Sequence, residues 1–267
     1  MLKKQSRQDF ELLCVDSGST DGTWEALQDF HPDIIYQIQP EEYIPGRVLN
    51  AAIAKTKGEI IVFNNADCIP QNKFWLEKLV QPLEQNQDMI AAFANQIPRP
   101  AAIPLVRKDY ERAFGDGSIH QTWRHFFSLA SSVVRRDAIT EYPFNPDIQY
   151  SEDIEWSWRM KKLGFQIAYA PDAVVEHSHN YDLKGIKKRY RGEGRAEKQI
   201  YAAEYAAEAA AGRIRDFSFF HSVILAFGME TLRDMLWLCK RGEVDWIFKS
   251  PGYRFLQRYS AYQGRTE

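Results

Sequence analysis

The sequence predicts an α/β domain over residues 1–182, a mostly parallel sheet flanked by helices, and a C-terminal helical extension over 183–267. Three observations carry this expectation. Short apolar runs alternate with amphipathic helical stretches from Phe10 to Asn95. The first apolar run ends in an acidic turn rich in glycine, serine and threonine, Asp16-Ser17-Gly18-Ser19-Thr20-Asp21-Gly22-Thr23. Beyond Leu183 the chain becomes charged and alanine-rich, with apolar residues at helical spacing.

Phe10 to Val15 reads as a buried strand whose C-terminal end opens into that turn. Trp24 to Phe30 reads as a helix ended by Pro32, and Ile34 to Ile38 as a strand closed by Pro40. Arg47 to Lys55 is helical, stopped by Lys57-Gly58. Glu59 to Asn64 is a second buried strand, the residues Asn65 to Pro70 a loop, Lys73 to Gln85 a helix and Met89 to Asn95 a strand. Residues 98–124, with Pro98, Pro100, Pro104, Gly115 and Gly117, read as an irregular loop or excursion. Ser131 to Arg135 is a strand and Ser151 to Lys162 a helix, and two strands, Gln166 to Ala170 and Ala173 to His177, are separated by Pro171-Asp172. Lys184 to Gly212 and Phe217 to Tyr262 are expected to be helical.

A chain of 267 residues can bury a real core. Its 45% hydrophobic and 26% charged residues place it in the soluble globular class. A net charge of -2 gives no electrostatic case for nucleic acid, so none is expected as a partner. The three cysteines, Cys14, Cys68 and Cys239, are far apart and lack C-x-x-C spacing, which argues against a disulfide framework or a zinc knuckle. A reducing compartment is expected. The start, Met1-Leu2-Lys3-Lys4-Gln5, shows no signal peptide. The longest uncharged apolar stretch, Phe217 to Met229, is shorter than the about 20 residues a bilayer needs. The expected location is cytoplasmic, with peripheral attachment at the inner membrane face as an open alternative.

Ligands of open α/β sheets sit in the crevice at strand ends. A carboxylate at Asp16 suits hydrogen bonds from a base or ribose, and Gly18 and Gly22 let the backbone turn beside it. Thr20 or Asp21 also suits capping of the following helix, and the two roles are compatible. A second carboxylate, Asp67, comes after the strand Glu59 to Asn64, a placement that suits a divalent cation taking oxygen ligands. Ser151-Glu152-Asp153-Ile154-Glu155-Trp156-Ser157-Trp158-Arg159 opens a helix, and the helix dipole favours an anion at that end. Glu155 and Arg159 have the spacing of an i,i+4 surface pair. His177 and His179, two apart on an extended segment, face one side.

The string D-S-G-S-T-D-G-T resembles the nucleotide-binding start of family 2 glycosyltransferases, inverting enzymes of the GT-A fold. The resemblance spans roughly residues 1–200. It implies that Asp16, Ser17 and Asp21 lie at the nucleotide, although the family usually has two adjacent aspartates where this chain has Asp16-Ser17. The stretch G-E-I-I-V-F-N-N-A-D-C-I-P resembles the family's metal-binding segment, usually D-x-D. Asp67 is then a metal ligand, and Asn65 stands in for one carboxylate beside the cofactor. The E-D segment implies Asp153 as the base that deprotonates the acceptor hydroxyl, with Glu152 in support. Residues H-S-H-N-Y look like those of bacterial rhamnosyltransferase-like members, and His177 and His179 are implied in the metal shell or at the diphosphate. Arg47 lies where the family places a basic or polar residue near the nucleotide, and a surface role at a helix start is nearly its equal.

The resemblance implies transfer of a sugar from a nucleotide-diphosphate sugar to a hydroxyl, with inversion, in cell-surface polysaccharide or glycolipid synthesis. The implied cofactor is a divalent metal, Mn or Mg. The implied partners are the donor and a saccharide or lipid-linked acceptor. Family members begin with a strand and a helix ahead of the stretch that starts here, so Met1 to Gln8 reads as the tail of that helix and the sheet is expected to lack a central strand. The basic run Lys184, Lys187, Lys188, Arg189, Arg191 and Arg195 reads as a solvated helical face, a lid over the diphosphate, or a lipid-facing surface. The later aromatic helices would then face a membrane or a second copy, or pack on the catalytic domain. Two rival functions remain: a sugar-phosphate nucleotidyltransferase and a non-catalytic remnant that binds a sugar nucleotide.

Overall fold

The computed structural model describes residues 1–122, 126–210 and 219–267. They form two compact units, Met1–Ile97 with Phe114–His177, and Pro98–Ala113 with Ser178–Glu267.

In the first unit, β1 (Leu13–Asp16) and β2 (Ile34–Gln37) pair in parallel through the crossover helix α1 (Thr23–Phe30). Next come α2 (Pro45–Lys55), β3 (Ile60–Asn64), the two-residue β4 (Ile69–Pro70), α3 (Trp75–Gln85) and β5 (Met89–Ile97). After the excursion to the second unit come α5 (Ser118–Thr122), β6 (Ser131–Arg135), α6 (Arg136–Glu141), α7 (Glu152–Lys162) and β7 (Gln166–Glu176). A second sheet has the order β3-β6-β5-β7-β4.

Three sequence expectations change here. The sheet is mixed rather than mostly parallel: β6 inserts antiparallel to both β3 and β5, β4 is antiparallel to β7, and parallel pairing joins only β1 to β2 and β5 to β7 among the described residues. Strand–helix alternation reveals strands but not the direction of one arriving from a later segment. Pro171-Asp172 does not divide two strands. β7 runs through it as a bulge, where the register jumps from Ala94↔Ala170 to Asn95↔Val174, and a bulge tolerates a proline that cannot donate to the ladder. The stretch 98–124 holds helix α4 (Pro104–Phe114) as well as α5. Pro104 is the first residue of α4, where its missing N–H costs nothing. Trp123 and Arg124, at the end of that stretch, lie outside the described residues.

The apolar face of α3 supplies the core. Trp75, Leu76, Leu79, Val80 and Leu83 pack on Ala92, Ala94, Val133, Ala170, Ala173 and Val175, with Cys68 at the edge. Small alanines on the sheet leave room for the indole of Trp75, whose Nε1–H donates to Ser131 Oγ at 3.2 Å. Phe93 meets Phe114, Phe126 and Phe127 edge-on.

The second unit contains α4, α8 (Leu183–Ala210), α9 (Ala226–Arg241) and α10 (Val244–Thr266). α8 and α10 approach closely at two glycines. A Cβ on Gly194 would stand 2.1 Å from the Ala261 carbonyl oxygen, and one on Gly264 2.0 Å from that of Arg191. Buried Arg254 donates to both Asp109 and Asp234, and Lys108 also pairs with Asp234. In the basic run, Arg189 pairs with Glu193, and Arg191 and Arg195 with Glu267. The part of the expected C-terminal helices over 211–218 lies outside the described residues.

Candidate active site

Asp16 ends β1 and is 4% exposed. Its Oδ2 accepts the N–H of Gly18 at 3.1 Å, the N–H of Ser19 at 3.0 Å and Gln37 Nε2 at 2.7 Å, and Oδ1 accepts Ser19 Oγ at 2.5 Å. These bonds, the Ser19 hydroxyl first and Gln37 next, hold the Asp16 pKa below the usual carboxylate value. Gly18 has φ +79°, the left-handed conformation that lets the loop fold back on Asp16. Asp16 thus organises the loop in which Ser17 stands exposed. Asp21 accepts Thr23 N–H at 3.1 Å and Thr23 Oγ1 at 2.6 Å, which lower its pKa and fix the start of α1.

Asn65 comes after β3 in a tight turn: its N–H donates to the Ala130 carbonyl at 2.8 Å, and its own carbonyl accepts Cys68 N–H at 2.9 Å. That turn presents Asp67, whose Oδ2 lies 3.5 Å from His177 Nε2. His177 is placed by the sheet. Gln96 pairs with Val175 across β5 and β7, so His177, two residues on, shares the face of Gln96. The His177 N–H donates to the Ile97 carbonyl at 3.0 Å, and ring Nδ1 lies 2.8 Å from Gln96 Oε1. His179 is two residues further along the same backbone, and Asp67, His177 and His179 each offer one ligand atom, all within 4.8 Å of one another. One carboxylate oxygen with two imidazole nitrogens is a donor set for a divalent cation, better matched to manganese than to magnesium.

Gln96 Nε2 donates to Ser128 Oγ at 2.7 Å, and the next residue, Leu129, donates its N–H to Asp153 Oδ2 at 3.2 Å. The structure therefore joins Asp67, His177 and Asp153 through one continuous set of contacts. Asp153 sits in the first turn of α7 and its Oδ1 accepts the Ile154 N–H at 2.8 Å. Ser151, just before α7, has φ +61°. Glu152 begins α7, and its charge adds to burial in raising the pKa of Tyr43. Glu155 and Arg159 do pair, at 2.6 and 3.0 Å, but not on the surface: Glu155 is 7% exposed and Arg159 also donates to the Pro143 carbonyl.

The approach to α7 is held by α2. Asn50 and Phe144 exchange two hydrogen bonds, at 2.8 and 3.1 Å. A Cβ on Gly46 would meet the Asn145 carbonyl oxygen at 2.1 Å, so only glycine admits this contact. Arg47, expected near a nucleotide, donates to the Pro146 carbonyl at 2.8 Å and pairs with Asp147 at 3.1 Å. Sequence reasoning missed Gln96 and Ser128. The available signal was a glutamine inside the apolar run of β5, where a buried amide needs partners.

Residues 1–141 match Glycosyl transferase family 2. The O-antigen chain rhamnosyltransferase WbaN of Salmonella anatum is 29% identical over 201 residues, 70% of this chain and 62% of that protein. RfbN of Salmonella typhimurium, also an O-antigen chain rhamnosyltransferase, is 28% identical over 71% of this chain and 63% of its own length. The match thus spans under two thirds of either relative. Among solved structures, the mannosyltransferase PcManGT from Pyrobaculum calidifontis, in complex with GDP-Man and Mn2+, aligns with a TM-score of 0.65 at 17% identity over 99% of this chain and 80% of that one. Glucosyl-3-phosphoglycerate synthase from Mycobacterium tuberculosis aligns with a TM-score of 0.51 at 21% identity, over 72% of this chain and 68% of that one. The family match covers more than half of the sequence and the architecture agrees with it: this chain belongs to Glycosyl transferase family 2, with a GT-A-like α/β fold, a mixed sheet and a C-terminal helical extension.

Proposed function

We propose that this chain transfers a sugar from a nucleotide-diphosphate sugar to a hydroxyl acceptor with inversion, in assembly of a cell-surface polysaccharide or glycolipid. The observation that carries this reading is the contact chain linking the Asp67–His177 pair to Asp153. Asp67, His177 and His179 would hold a divalent ion, which when bound offsets charge on the leaving diphosphate. Asp153, fixed by two backbone N–H groups, takes the proton of the acceptor hydroxyl as its oxygen attacks the anomeric carbon. The bond to the diphosphate breaks on the opposite face, so the configuration inverts and the proton ends on Asp153. Glu152 orients the acceptor at the same helix end, and the loop of Asp16, Ser17 and Asp21 lies at the base and ribose. The two Salmonella relatives are named for rhamnosyl transfer, which supports a deoxyhexose as the sugar.

The test is a donor screen. UDP-, GDP- and dTDP-sugars are titrated with and without Mn2+, and products from candidate acceptors are identified. Turnover of one donor supports the reading. Donor binding without turnover, unchanged by Asp153→Asn, would favour a binding remnant, and formation of a nucleotide-sugar and pyrophosphate from a nucleoside triphosphate and a sugar 1-phosphate, assayed alongside, would favour a nucleotidyltransferase.

A membrane-borne acceptor fits the second unit. Leu225, Met229, Leu232 and Leu236 recur along a π turn (Phe220–Leu225) and α9 at spacings of four, three and four, and Phe248 of α10 is 81% exposed. Arg233, Lys240, Arg241 and Lys249 are exposed on these two helices, against Asp245 as their one exposed acid among the described residues. No described helix is long and apolar enough to cross a membrane. Apolar side chains flanked by cations suit the surface of an anionic bilayer. The free cysteines support a reducing, cytoplasmic setting at its inner face. Sedimentation with phosphatidylglycerol-containing vesicles, and not with neutral ones, supports the contact. A concentration-dependent dimer with no vesicle binding would assign this face to a second copy.

A further inference from the structure

Gln96 is 2% exposed on β5, a costly place for an amide without partners. Both ends of that amide are engaged. Nε2 donates to Ser128 Oγ at 2.7 Å, which turns Oε1 toward His177 Nδ1 at 2.8 Å. A carboxamide oxygen only accepts, so this contact is a hydrogen bond only if His177 carries its proton on Nδ1. A neutral imidazole has one proton. In the neutral form, the one that can ligate a metal through its second nitrogen, Nε2 is the unprotonated atom, and it is the one 3.5 Å from Asp67.

We infer that Gln96 is a positioning residue that holds His177 in the Nδ1–H tautomer and aims Nε2 at the cation site, with Ser128 satisfying the other end of its amide. The inference rests on the metal reading of Asp67, His177 and His179. It adds a reason for a polar pair inside an apolar sheet. A rotated Gln96 amide would present Nε2–H to the imidazole, which selects the opposite tautomer and puts a proton where a ligand lone pair is needed. The His177 backbone is fixed independently by its bond to Ile97, so Gln96 governs the ring rather than the strand. Groups that orient a ligating histidine through its second nitrogen typically change metal affinity about 10- to 100-fold when removed.

The test has two readouts apart from turnover. Nitrogen-15 NMR of the imidazoles in the metal-free protein reports the His177 tautomer directly, and Mn2+ titration followed by electron paramagnetic resonance reports affinity. Wild type is expected to show the proton on Nδ1. Gln96→Leu is expected to bind Mn2+ about 10- to 100-fold more weakly at unchanged thermal stability. Gln96→Glu supplies one oxygen to accept from Nδ1–H and another to accept from Ser128 Oγ–H, and is expected to restore or exceed wild-type affinity. A proton on Nε2 in wild type, or a folded Gln96→Leu protein that binds Mn2+ as wild type does, overturns the inference. Should wild type bind no Mn2+, the metal reading fails by itself, and the NMR still decides whether Gln96 sets the tautomer.

Discussion

Asp153 Oδ2 accepts the backbone N–H of Leu129 at 3.2 Å, one residue from the hydroxyl that holds Gln96. The turn at 128–129 therefore ties the start of α7 to β5, and through β5 to the histidine just beyond β7. Two groups to which the proposed function gives different tasks, one for a cation and one for a proton, share a single support.

Asp67→Asn removes the only carboxylate of the Asp67–His177–His179 group. Its side chain is 34% exposed and outside the apolar core. The expected result is loss of measurable Mn2+ binding with an unchanged thermal midpoint, read by calorimetric titration and circular dichroism. Chelation of the wild type is expected to stop turnover, and added Mn2+ to restore it.

Gly46→Ala places a methyl group within 2.1 Å of the Asn145 carbonyl oxygen. Backbone cannot yield as a flexible side chain does, so α2 and the 143–147 segment must move apart. Overpacking of this kind costs about 1–3 kcal/mol. Denaturant unfolding should show that loss. The Asn50–Phe144 bonds that lead into α7 should weaken with it, seen as faster amide exchange at Phe144.

Asp16 has a pKa lowered by its hydrogen bonds in the folded state. Such a carboxylate contributes stability that is complete above its unfolded pKa of about 3.9 and is lost as pH falls through the folded value. Asp16→Asn should therefore be less stable than wild type near neutral pH, and the difference should shrink below about pH 4. Chemical denaturation at a series of pH values measures it. A constant difference across that range would mean that Asp16 acts by shape rather than by charge.

Trp75→Ala empties the centre of the α3–sheet core and leaves the Ser131 hydroxyl without its indole donor. The expected destabilisation is about 3–5 kcal/mol, measured by urea unfolding.

Much of the first unit was legible because its strands are short apolar runs closed by proline, glycine or acidic turns. Phe10 to Val15, Ile34 to Ile38, Glu59 to Asn64 and Met89 to Asn95 each correspond to a strand within a few residues. Asp67, His177 and His179 were legible as ligands because a carboxylate after a strand and an H-x-H segment are local patterns, and the structure brings them together. Strand direction was not legible: β6 is antiparallel to both of its neighbours because of where the chain returns, which no window around Ser131 to Arg135 encodes. Pro171 misled because a proline ends most strands, whereas here β7 carries it in a bulge and keeps pairing with β5 on both sides. Pro104 misled in the opposite sense, since a proline that breaks a helix interior also begins one. Gln96 escaped notice because its partners, Ser128 and His177, lie 32 and 81 residues away.

The most direct measurement is the rate and stereochemistry of sugar transfer by Asp153→Asn beside wild type, with Mn2+ affinity measured on the same samples. The account predicts a product of inverted anomeric configuration from wild type, a turnover number lower by about 10²- to 10⁴-fold in the variant, and equal Mn2+ affinity in both. A product of retained configuration, or a variant that turns over at the wild-type rate, would contradict it.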